Sequence, residues 1–129
     1  MWWKKETIIV PPTYNKKYLE GPVLKSIWDF ALNEIVESRH IIFCGYSFPE
    51  ADSDIKAMLK SAELDKSSKL EKVTLVNHFG DEAQRREAKY LTLKDQECNR
   101  FSRFFKCEVI DSNKSFQEFV ENIDEILEY

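Results

Sequence analysis

One stretch constrains this chain more than any other: Ile41-Ile42-Phe43-Cys44-Gly45-Tyr46-Ser47-Phe48-Pro49-Glu50-Ala51-Asp52. An apolar run leads directly into a glycine and then a proline, after which Ile55, Met58, Leu59 and Ala62 recur at helical spacing. An uninterrupted apolar run marks a strand buried on both faces, and a 3.6-residue period marks an amphipathic helix. The segment predicts strand, tight turn and helix, the unit from which parallel α/β sheets are assembled. In such sheets ligands sit beyond the carboxyl ends of the strands, so chemistry is expected at the turn Gly45-Tyr46-Ser47.

The flanking sequence repeats this alternation. Thr7-Ile8-Ile9-Val10 is a β-branched run stopped by Pro11-Pro12, which reads as a strand leaving its sheet. Gly21-Pro22 opens a helix whose wide apolar face comprises Val23, Leu24, Ile27, Trp28, Phe30, Ala31 and Ile35. After the polar loop Asp65 to Lys69, Lys72-Val73-Thr74-Leu75-Val76-Asn77 reads as a strand. Residues 82–106 are helical in composition, with a break expected near Leu93-Lys94 and Cys98, Phe101 and Phe105 on one face. Glu108-Val109-Ile110 is a last short strand. Ser115 and Glu118 then form a capping box for a helix carrying Phe116, Phe119, Val120, Ile123, Ile126 and Leu127. Connections between strands are long enough for crossovers, so the strands should run parallel. The expectation is one α/β domain over residues 1–129, a three-layer sandwich with a small parallel sheet of about four strands. Helices should cover both faces, and one sheet edge should lie open.

Charge and cysteine usage narrow the partners. The net charge of −4 creates no field that would gather nucleic acid or anionic lipid. Basic residues cluster at Arg85, Arg86, Lys89 and at Arg100, Arg103, Lys106, but Glu82, Glu87 and Glu97 interleave with them, as on a solvated helical face. The three cysteines, Cys44, Cys98 and Cys107, form no C-x-x-C pair, so neither a metal knuckle nor a disulfide framework is indicated. No apolar run reaches the length of a membrane span, and residues 1–6 lack a leader's apolar stretch. A cytoplasmic protein without nucleic-acid or membrane partners is expected. Cys44 reads as a core filler and Asp52 as a helix N-cap, while Ser47 and Glu50 also fit a capping box. His78 reads as a loop histidine, and Trp2 and Trp3 as cover for a sheet edge or as an interface for absent sequence or a second copy.

Residues 41–52 resemble the Gly-Tyr-Ser-Leu-Pro-Glu-Ala-Asp signature of bacterial sirtuin-like proteins, which share the NAD-binding, Rossmann-type fold of sirtuin deacylases. Residues 8–16, with Pro11-Pro12-Thr13, resemble the strand and turn preceding that signature; Val73 to Asn77 resemble the strand following it. Val109-Ile110 and the helix from Ser115-Phe116 resemble the family's closing strand and helix. The resemblance implies that Gly45, Tyr46 and Ser47 lie against the phosphates and ribose of NAD or ADP-ribose, and that Asn77 reaches the adenosine ribose. It further implies that Asp111 and Ser112 flank the adenine. Glycine at such a turn permits close backbone approach, Ser47 offers a hydroxyl, and an amide can both donate to and accept from a diol.

The departures from the family are equally specific. Its Gly-rich loop has no counterpart, since Gly21, Gly45 and Gly80 are isolated, and neither His40 nor His78 occupies the place of the catalytic histidine. The chain thus resembles the C-terminal half of a sirtuin-like domain, with no catalytic residue and no metal ligand. Relatives of this kind hydrolyse NAD or deacylate lysine, and several act in antiphage defence. This chain is expected to be inactive alone, to bind NAD or ADP-ribose weakly or not at all, and to pair with a missing N-terminal half or itself. The alternative is a stand-alone, non-catalytic α/β interaction or sensor module.

Overall fold

In a computed structural model, residues 21–77 and 86–124 are described. The order of elements is α1 (Pro22–Glu37), β1 (His40–Cys44), α2 (Ser53–Leu64), β2 (Lys72–Val76), α3 (Ala88–Phe104), β3 (Glu108–Asp111) and α4 (Phe116–Glu121). The three strands form one parallel sheet in the order β1-β2-β3, so the expected α/β class and parallel pairing both hold. The strand expected at Thr7 to Val10, together with Trp2 and Trp3, lies outside the described residues, as do His78 and residues 125–129.

The middle strand, β2, is the buried one. Val73 and Leu75 point to one face and Thr74 and Val76 to the other, as a two-residue period requires, and all four are buried. Leu59 of α2, Phe101 of α3, and Phe48 and Phe105 from the connections complete the core with Val73 and Leu75. Phe101 is fully enclosed, and Phe48 packs against it with ring centroids 4.7 Å apart. Large aromatic side chains in direct contact supply much of the buried apolar area of so small a core.

Four expectations are corrected. The strand at residues 41–44 is half-buried rather than buried: His40 to Phe43 are partly exposed and Cys44 is exposed. Cys44 ends that strand and is exposed, so it does not fill the core. No break interrupts the helix near Leu93-Lys94, because the side chains of Lys94, Glu97 and Phe101 lie one above another on its buried face and hold one continuous α3. Ser47 does not cap α2: the helix begins at Ser53 after the N-cap residue Asp52, with Phe48 at φ +60° between.

Other expectations hold. Asp52 is the N-cap residue of α2, although its side chain makes no capping bond. Leu59 and Ala62 are the buried residues of that helix, as their spacing predicts. Proline opens α1, but no residue of that helix is fully buried; Val23, Ile27 and Phe30 stay more than half exposed. The capping box of α4 is present: Ser115 Oγ accepts from the Glu118 N–H at 3.2 Å, and the Ser115 N–H donates to Glu118 Oε2 at 2.7 Å.

Candidate functional site

Parallel pairing brings the carboxyl ends of all three strands to one edge of the sheet. Cys44 is in register with Val76, and Leu75 with Asp111, so the segments that follow them leave side by side. The Gly45 N–H donates to the Val76 carbonyl at 3.3 Å. The Ser112 N–H and hydroxyl both donate to the Leu75 carbonyl, at 3.0 and 2.8 Å. Gly45, Tyr46, Ser47, Asn77, Asp111 and Ser112, singled out in the sequence, therefore gather along this edge.

The turn after β1 needs its glycine. Gly45 adopts φ +65°, and a Cβ placed there would meet nothing within 4 Å, so the constraint is conformational rather than steric. Phe48 adopts φ +60° while nearly fully buried, an unusual state for a bulky residue that the surrounding aromatic packing enforces. The space open above Gly45 would let a phosphate or ribose approach the backbone closely.

Asn77 locks this turn in place. Its Oδ1 accepts from the Tyr46 N–H at 3.1 Å, while its Nδ2 donates to the Tyr46 carbonyl at 2.6 Å and to Glu97 Oε1 at 2.7 Å. A backbone N–H can only donate and a carboxylate only accepts, so these partners set the orientation of the amide. Both donor hydrogens are engaged and the residue is 2% exposed. In this arrangement Asn77 offers no free donor to a ribose.

Lys94 and Glu97 complete the edge, and sequence reasoning missed both. Lys94 Nζ donates to the Asn77 carbonyl at 2.5 Å and pairs with Asp111 Oδ2 at 3.0 Å and Glu97 Oε2 at 3.5 Å. One ammonium thus sits between two carboxylates. Burial of such a group is tolerated only when paired in this way. Their signal in the sequence was the spacing Lys94, Glu97, Phe101, which puts both charges on the stripe that buries Phe101. The interleaved charges instead put Glu97 on a solvated face, and Lys94 falls where a helix break is expected.

Tyr46 hydroxyl donates to Asp52 Oδ2 at 2.9 Å. Burial, followed by this bond and the charge of Asp52, pushes its phenol up to about 12. Asp52 thereby ties the turn to the start of α2 through its carboxylate. Although Cys44 is exposed as a residue, partial desolvation of its thiol pushes it up and favours the protonated form. A cavity of about 310 Å³ opens beside the edge, lined by Ser47, Tyr90, Leu93, Lys94, Glu97 and Arg100. Arg100 Nη2 approaches the Ser47 carbonyl at 3.4 Å.

Among the described residues, no three His, Cys, Asp or Glu side chains gather as a metal site. No described helix is long and apolar enough to cross a membrane. The edge offers hydrogen bonding, fixed charge and an open glycine turn, which suit holding a ligand. In comparisons with family models, curated proteins and solved structures, nothing matches this chain.

Proposed function

We propose that this chain is the nucleotide-side part of a sirtuin-like α/β domain, holding the ADP-ribose end of NAD and not turning it over by itself. The observation that carries the reading is the adjacency of the Gly45 turn and the Asn77 strand end, joined by the Tyr46–Asn77 bonds. A ligand's phosphates or ribose would lie over Gly45 and Ser47, where the backbone is accessible. Asn77 then acts as a positioning residue that shapes the turn, and Asp111 and Ser112 border the same edge.

A second reading is favoured by the way the edge satisfies its own polar groups. The donors of Asn77 are taken up within the protein, and Lys94 bridges Glu97 and Asp111 across the strand ends. On that reading the chain keeps the fold as a cofactor-free interaction or sensor module. Calorimetric titration with ADP-ribose and NAD separates the two. Saturable binding that weakens in Ser47→Ala, with unchanged thermal unfolding, supports the nucleotide reading. Absence of heat at millimolar ligand sinks it and leaves the second.

A further inference from the structure

A second cavity, of about 280 Å³, is lined by Lys56, Arg100, Arg103, Phe48, Glu50 and Phe104. Three cations from two helices face it, against one carboxylate. The chain as a whole carries a net charge of −4, so this concentration of positive charge runs against the average. Arg100 and Arg103 were legible as a basic pair on α3, but only the fold brings Lys56 of α2 across to them.

Among the described residues Lys56, Arg100 and Arg103 have no carboxylate partners of their own. The neighbouring Lys60, by contrast, is taken up by Glu63 and the Phe104 carbonyl. Lys56 Nζ is held 4.6 Å from the centroid of the Phe48 ring, and Phe48 packs edge-on against Phe104 at 4.8 Å. The aromatic pair gives the cleft a rigid apolar border and holds Lys56 toward it. Three like charges gathered around a single carboxylate repel one another, and a dianion placed between them relieves that repulsion. A guanidinium also offers a planar donor fork that suits phosphate oxygens.

We propose that the cleft between α2 and α3 binds a small ligand carrying a diphosphate or comparable dianionic group, through Arg100, Arg103 and Lys56. Binding there does not depend on the nucleotide reading of the sheet edge. A polynucleotide is disfavoured, because the cations form a local cluster on an acidic protein rather than an extended stripe.

The test is calorimetric titration with inorganic pyrophosphate at low ionic strength, using Arg103→Gln, Lys56→Gln and, as an off-site cation, Lys89→Gln. Arg103 and Lys89 are exposed, so their replacement leaves the core intact. Saturable binding is expected, at least tenfold weaker in Arg103→Gln and Lys56→Gln, unchanged in Lys89→Gln, and weakened by added salt. The proposal is overturned if pyrophosphate does not saturate. It is equally overturned if Lys89→Gln weakens binding as much as Arg103→Gln, or if duplex DNA binds where pyrophosphate does not. Ser47→Ala leaves pyrophosphate binding intact on this proposal, which keeps its fate separate from that of the ADP-ribose reading.

Discussion

Gly45 carries the turn after β1 by conformation alone. Because its φ is +65° and no atom stands within 4 Å of where a methyl group would lie, Gly45→Ala meets strain without a clash. Such a left-handed alanine costs about 1 kcal/mol. Chemical denaturation should show a lower midpoint at unchanged slope; an unaltered midpoint would refute the conformational account. Tyr46 makes a pH-dependent contribution. With its phenol raised to about 12 by burial and by Asp52, the folded state favours the neutral form. That stabilisation is fully present below the unfolded tyrosine's value, near 10, and is lost as pH rises through about 12. Phenolate absorbance should show a late-titrating component that disappears in Tyr46→Phe. At the other end of the sheet, His40 Nε2 lies 2.7 Å from Thr74 Oγ1. Its imidazole is pushed down by burial and by the Lys72 charge, so it stays neutral to lower pH than an exposed histidine.

Among the elements, α4 depends most on its own sequence. It is short, and its reciprocal Ser115–Glu118 bonds satisfy two donors that would otherwise be orphaned. Ser115→Ala should destabilise the protein by about 1 kcal/mol, whereas Ser115→Asp should be close to neutral. Amide exchange reads this directly, since loss of the cap should speed exchange in α4 before it affects β2. Helices α2 and α3 lean on packing instead. In α2 and α3 no side chain caps the N-terminus, and their positions come from Leu59, Ala62 and Phe101. Most helical stability in proteins comes from such packing rather than from intrinsic propensity.

At the scale of the molecule, the Lys94 bridge couples α3 to the ends of β2 and β3. Lys94→Ala removes the cation that Glu97 and Asp111 share, in a site where Lys94 and Glu97 are both largely buried. Breaking a buried pair from one side typically costs about 3–5 kcal/mol. Glu97→Gln retains an acceptor for Asn77 and should cost far less. Urea unfolding of the two variants checks this contrast, and equal losses would show that the bridge is not a structural link. Exposed Arg103 supplies the comparison: Arg103→Ala should shift stability by no more than about 0.5 kcal/mol.

The strand-turn-helix at residues 41–62, the parallel alternation, the cap at Ser115 and the arrival of Gly45 and Asn77 at one edge were all legible in the sequence. Each rests on a local rule of periodicity, turn chemistry or topology that a few neighbouring residues suffice to express. Tertiary structure alone decided which polar groups are buried and against what. Lys94 and Glu97 look like surface charges until the sheet edge supplies the Asn77 carbonyl and Asp111 as partners. Lys56 joins Arg100 and Arg103 only because α2 and α3 flank a common cleft. The spacing of Lys94, Glu97 and Phe101 marks one face of α3, but that this face is the buried one depends on contacts with residues far apart in the chain.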